Sequence, residues 1–215
     1  MRPGKVIVVD DDDGFRASTE RFLRSVGYEV ETYADARSLV AHGQHDEAAC
    51  VLLDVRMPGM SGLQAQTELG RQRFRHPVVF VSGQADVATG VQAIKNGAVD
   101  FLVKPFEEKQ LLDVIERSLD EDARARAARK AQEDALGRLD QLTARERQVC
   151  EYLMKGMINK QIAWELGIAE STVKVHRSRM MEKLGVDSVV ALMRLLDQAS
   201  AVAASGTLHG PADSP

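Results

Sequence analysis

Short apolar runs alternate with helical patterns along residues 5–119 of this chain. The strand-like runs are 5–9, 29–32, 50–53, 78–81 and 100–103. Between and after them lie amphipathic segments at 15–26, 36–41, 62–72, 87–96 and 108–119. Phe15, Thr19, Phe22, Leu23 and Val26 fall at helical spacing, and Gly27 and Gly97 stand where helices should stop. The alternation predicts an α/β domain: a five-stranded, parallel, doubly wound sheet with helices on both faces. Continuous rather than alternating apolar strands fit a sheet covered on both sides.

Residues 120–139 are rich in Ala and charge but have no sustained apolar heptad, so they predict a helical linker more than a coiled coil. Residues 140–198 hold only helical signals and predict a four-helix domain. Thr143 and Glu146 fit a capping box, Asn159 is expected to cap a second helix, and a third spans 171–184. A fourth helix, 188–196, carries an apolar stripe of Val189, Val190, Leu192, Met193 and Leu196. Tyr152 and Trp164 are expected in the core. The tail, 199–215, is small and polar and is expected to be disordered.

Composition narrows the class. Hydrophobic residues make up 44% of 215, and no apolar run approaches a membrane span. No signal-peptide pattern precedes the first strand, so a cytoplasmic protein is expected. Cys50 and Cys150 each lie in an apolar pattern and read as buried free thiols. Residues 1–119 carry 14 basic and 18 acidic side chains, a balance of −4; residues 140–198 carry 9 and 8, a balance of +1. Nucleic-acid binding in the second half must therefore come from local clustering.

The chemistry sits at strand ends. Asp54 ends the third run, Asp10 to Asp13 follow the first, Ser82 follows the fourth, and Lys104-Pro105 follows the fifth. Open α/β sheets place ligands at such carboxyl ends. Carboxylates crowded together call for a cation, and hard oxygen donors suit Mg²⁺. A lysine and a serine nearby can hold phosphoryl oxygens, so the set reads as an aspartyl-phosphate site with Asp54 as nucleophile. Asp12 and Asp13 read better as helix N-terminal acids than as ligands. An Asp-x-Asp-Gly phosphatase reading of residues 11–14 leaves Asp54 and Lys104 unexplained.

These four motifs, Val8-Val9-Asp10-Asp11, Leu53-Asp54-Val55-Arg56-Met57-Pro58-Gly59, Val81-Ser82-Gly83 and Val103-Lys104-Pro105-Phe106, resemble the CheY-like receiver domain of two-component response regulators. The resemblance implies that Asp54 accepts a phosphoryl group from a sensor histidine kinase. It implies Mg²⁺ (or Mn²⁺) held by Asp10, Asp11, Asp54 and the Arg56 carbonyl. It also implies a switch formed by Ser82 and Phe101, and a cis Lys104-Pro105 peptide. The chain is not expected to be an enzyme beyond Mg-dependent self-phosphorylation and slow self-dephosphorylation.

The second half carries a short helix, a Gly167 turn and a helix rich in basic residues, the pattern of a helix-turn-helix. Val173, Met180 and Leu184 should face the core, with Lys174, Arg177, Ser178 and Met181 pointing elsewhere. Its motifs Leu142-Thr143-Ala144-Arg145-Glu146, Asn159-Lys160-Gln161-Ile162-Ala163 and Ser171-Thr172-Val173-Lys174-Val175-His176 resemble the LuxR-type DNA-binding domain of FixJ/NarL regulators. The resemblance implies DNA contacts from Lys160, Ser171, Thr172, Lys174, Val175, His176, Arg177 and Ser178. Lys174, Val175 and Ser178 would face base edges. The expectation is a phosphorylation-activated transcriptional activator with four segments: receiver 1–119, linker 120–139, DNA-binding domain 140–198 and tail 199–215. Its expected partners are a sensor kinase, promoter DNA, RNA polymerase and, on phosphorylation, a second copy of itself, with no membrane. The alternative is a phosphorylation-independent DNA-binding regulator whose receiver is an interaction module.

Overall fold

Adjacent strand residues point to opposite faces, so an apolar run can feed two cores at once. The computed structural model describes residues 4–42, 44–83 and 87–200. The chain forms two compact units, Met1–Arg126 and Ala127–Pro215. In the first, β1 (Lys5–Val9), β2 (Glu29–Tyr33), β3 (Ala49–Asp54), β4 (Val78–Ser82) and β5 (Asp100–Val103) make a parallel sheet in the order β2-β1-β3-β4-β5. The helices between and after the strands are α1 (Asp13–Ser25), α2 (Ala36–His42), α3 (Gly62–Arg71), α4 (Val87–Lys95) and α5 (Glu108–Asp140).

Ile7, Val9, Val51, Leu53 and Phe80 join one core with Leu39 of α2, Ala65 and Leu69 of α3 and Ala93 of α4. Val6, Val8, Cys50, Leu52, Val79 and Val81 join the other with Leu23 of α1 and Leu111, Ile115 and Leu119 of α5. Each large side chain removed from water here contributes about 1.5–3 kcal/mol. Both faces of the strands are consumed, which explains their continuous apolar reading.

Two devices fix where helices begin. The Asp12 carboxylate accepts from the backbone N–H groups of Gly14 and Phe15, capping α1. Ser61 and Gln64 form a capping box on α3. The next residue, Gly62, has no room for a side chain: a Cβ there would lie 2.2 Å from the Asp54 carbonyl oxygen and 2.9 Å from the Phe80 ring. Only glycine lets α3 start against the end of β3.

α5 contributes to both units. Within the first, Asp122 Oδ2 accepts from Ala49 N–H at 3.0 Å and from the buried His76 Nδ1 at 3.0 Å. His76 Nε2 accepts from His45 N–H at 3.0 Å, so the proton sits on Nδ1. Arg126 donates to the His45 carbonyl. Within the second unit, Ala135 of α5 is buried in the core and Leu139 packs against it.

The rest of the second unit is α6 (Ala144–Met154), α7 (Asn159–Leu166), α8 (Glu170–Leu184) and α9 (Val189–Ser200). Val149, Ile162, Val173, Met180, Leu184 and Leu192 fill the core. Thr143 and Glu146 form the expected capping box, and Glu146 also pairs with Lys183 at 2.7 Å. Gly167 and Gly185 end α7 and α8 in the left-handed conformation.

Four expectations are corrected here. Asn159 does not cap α7: the N-cap is Ile158, whose N–H donates to the Gln161 side chain, while the Asn159 side-chain oxygen accepts from Arg177. Trp164 is not core but 86% exposed, because Ile162 and Ala163 take the inward face of α7. Arg177 and Met181 do not point away from the domain; both are half-buried. Ala199 and Ser200 belong to α9, and the remainder of the tail lies outside the described residues.

Candidate functional sites

The sheet delivers Asp10, Asp54, Ser82 and Lys104 to the carboxyl ends of four strands. Register sets Asp54 opposite Val81 and Ser82 opposite Val103, one residue before Lys104. Lys104 Nζ bridges two carboxylates, at 2.6 Å from Asp10 Oδ2 and 3.2 Å from Asp54 Oδ1. The second Asp54 oxygen accepts from Arg56 N–H at 2.6 Å. Asp10, Asp54 and Ser82 are buried, whereas Asp11 is exposed. Lys104 Nζ also lies 3.7 Å from the centre of the Phe15 ring, and Phe106 meets that ring edge-on. The lysine is thus aimed by a cation–π contact as well as by its acids. Lys104-Pro105 is cis, as expected. Phe101 is half-buried on β5, its ring 3.6 Å from where a Cβ on Gly90 of α4 would lie.

Burial pushes the Asp54 carboxyl above its ordinary value; Arg56 N–H and Lys104 oppose the shift and Asp10 adds to it. Asp12 is held low by the two backbone N–H groups that it caps. Among the described residues no three acidic, imidazole or thiol groups converge as a metal-holding set. The donor chemistry nonetheless fits a hard divalent cation: carboxylate oxygens of Asp10 and Asp54 lie around one ammonium, with Asp11 adjoining.

On α8, Ser171, Thr172, Lys174, Val175 and Ser178 are exposed on the face opposite Val173, Met180 and Leu184. Lys160 of α7 is exposed too. His176 and Arg177 are half-buried, and Arg177 donates to Asn159 at 3.2 Å, binding α8 to α7. Lys174 pairs with Glu170 one turn earlier at 3.3 Å.

Residues 6–116 match the model of the response regulator receiver domain, and residues 140–196 match that of the bacterial regulatory proteins of the luxR family. The chain is a response regulator. Nodulation protein W of Bradyrhizobium diazoefficiens is 40% identical over 190 residues, covering 88% of this chain and 84% of that protein. The solved structure of the response regulator StyR is 44% identical, covers 92% of this chain and 100% of that one, and has a TM-score of 0.86. Full-length FixJ from B. japonicum is 35% identical, with coverage of 94% and 99% and a TM-score of 0.58. This response regulator therefore joins a receiver to a LuxR-type helix-turn-helix that binds DNA and regulates transcription. No helix among its described residues is long and apolar enough to cross a membrane.

Sequence reasoning about the response regulator missed three features. Phe15 falls at helical spacing in the sequence, yet it also aims Lys104. Asp122 sits in a charge-rich stretch with no signal that it is buried, and His76 gives no signal of its partner. Lys183 was not expected to hold the cap of α6. Each pairing joins residues far apart in sequence, which local patterns do not encode.

Proposed function

We propose that Asp54 accepts a phosphoryl group from a phosphohistidine of a sensor kinase, and that this drives dimerisation and promoter binding. The observation that carries this reading is the Lys104 ammonium held between Asp10 and Asp54 at the end of β3. A carboxylate oxygen of Asp54 attacks phosphorus; the P–N bond breaks and its electron pair stays on the kinase imidazole, which takes up a proton. Lys104 and the Arg56 N–H neutralise charge growing on the oxygens. Mg²⁺ or Mn²⁺, held by Asp10, Asp11, Asp54 and the Arg56 carbonyl, would supply further charge neutralisation and is the natural counter-ion of crowded carboxylates.

The new acyl phosphate would draw in Lys104 and the Ser82 hydroxyl and let Phe101 repack beside α4. Val91, Ile94, Val99 and Val103 are exposed on and around α4 and β5, which supports a two-fold pairing through this face. Val190 and Met193 of α9 are exposed as well and favour a second contact between output domains. Paired output domains would set two α8 helices on two half-sites. Lys174, Val175 and Ser178 would meet base edges, with Lys160, Ser171, Thr172, His176 and Arg177 giving backbone or supporting contacts. The segments 1–119, 120–139 and 140–198 then act as receiver, linker and DNA-binding domain of a cytoplasmic activator that engages RNA polymerase.

Genomic DNA-pool selection and sedimentation, with and without a small-molecule phosphodonor and Mg²⁺, test this reading. Phosphodonor should raise the dimer fraction and enrich two-fold-symmetric sites for the wild type but not for Asp54→Asn. Identical sedimentation of the wild type in both conditions would overturn it.

A further inference from the structure

The chain contains one tryptophan, and it stands almost entirely in water on α7. An indole removes a large apolar area when covered and carries one N–H donor, so such exposure marks a contact to be made. Successive helix residues turn about 100°. Lys160 and Trp164, four apart, therefore share one flank of α7, and Gln161 and Glu165 share the other.

The Lys160–Trp164 flank lines an open cleft of about 620 Å³ together with Gly167 and the start of α8 at Glu170. The indole is thus next to the end of the helix proposed to enter the major groove, just ahead of Ser171 and Thr172. Space around Gly167 is open, with nothing within 4 Å of where a Cβ would lie, so a backbone can approach. The acid in the cleft, Glu170, is already paired with Lys174 at 3.3 Å, which lowers its repulsion of a phosphate.

We propose that Trp164 is a DNA-backbone contact: its ring packs on a deoxyribose and its indole N–H donates to a phosphate oxygen at the rim of the groove that α8 enters. This rests on the DNA-binding reading above and adds a neutral positioning contact to it. A protein partner is the competing occupant, and the test separates the two.

Because Trp164 is the sole indole, its emission reports on the site without labelling. Full-length protein with phosphodonor and Mg²⁺ is titrated with a random-sequence DNA duplex at low salt, and with a duplex recovered from the genomic selection. Emission should fall or move to shorter wavelength as duplex binds. Trp164→Ala should weaken both duplexes by about three- to tenfold. It should leave the dependence of log affinity on log salt unchanged, since the indole carries no charge. Lys160→Ala should reduce that slope by about one. Emission unmoved at saturating duplex, or wild-type affinity in Trp164→Ala, overturns the proposal. Wild-type affinity with lost transcription in the presence of RNA polymerase would make the indole a protein contact instead. Failure of the wild type to bind either duplex would fail the DNA-binding reading beneath it.

Discussion

Asp54 is an acid in a place that disfavours charge. Burial raises its proton affinity in the folded chain, and Asp10 adds repulsion. A raised folded value means that the ionised form costs stability at any pH above the unfolded value, and that lowering the pH through the folded value recovers it. Asp54→Asn should therefore raise the melting temperature of the receiver at neutral pH, with a gain that shrinks as the medium is acidified. Thermal melts across that range check it, and a less stable Asn variant at neutral pH would contradict the account. Asp54, Ser82 and Lys104 were legible in the sequence because each follows an apolar run whose end the sheet then aligns. Phe15 is not, since its place over Lys104 joins α1 to the segment that follows β5, far along the chain. Trp164 is not legible as surface, because a tryptophan on a short helix is core or surface according to the flank it occupies.

Elements were easier to read than their ends. The strands and the cores they feed follow from continuous apolar runs, and Gly167 and Gly185 stop their helices where expected. Asn159 shows the limit: its type suits a cap, yet the chain puts Ile158 there and spends the Asn159 oxygen on Arg177. The start of α6 is held by an ion pair as well as a cap. Burial by itself would lift the Glu146 carboxyl, but Lys183 and the Thr143 hydrogen bonds outweigh it and leave the group below its ordinary value. A depressed folded value gives stability that is present above the unfolded value and lost as pH falls through the folded one. Glu146→Ala should destabilise the second unit by about 1–3 kcal/mol at neutral pH, the sum of a lost cap and a lost ion pair. Urea denaturation of the variant at neutral and acid pH measures it; the difference from wild type should narrow in acid.

At the scale of the molecule the two units keep separate cores, each with its own buried free cysteine. Burial pushes the Cys50 thiol up to about 12 and also raises Cys150, so neither is an available nucleophile near neutrality. Thiol chemistry therefore offers no switch here, and the phosphoryl switch proposed above must move an equilibrium by a few kcal/mol to matter. Hydrophobic periodicity places the end of the receiver at Leu119, the last apolar residue of its second core. The first compact unit instead reaches Arg126. What lies between is Asp122, the acceptor for both His76 Nδ1 and Ala49 N–H. A receiver fragment cut after residue 119 would strand those two buried donors, at about 1–3 kcal/mol for each group left unmade. It should melt well below a fragment ending at residue 126, and equal melting of the two would refute this. Anyone trimming this protein by its apolar pattern would thus sever a hydrogen-bonded hem that the pattern never shows.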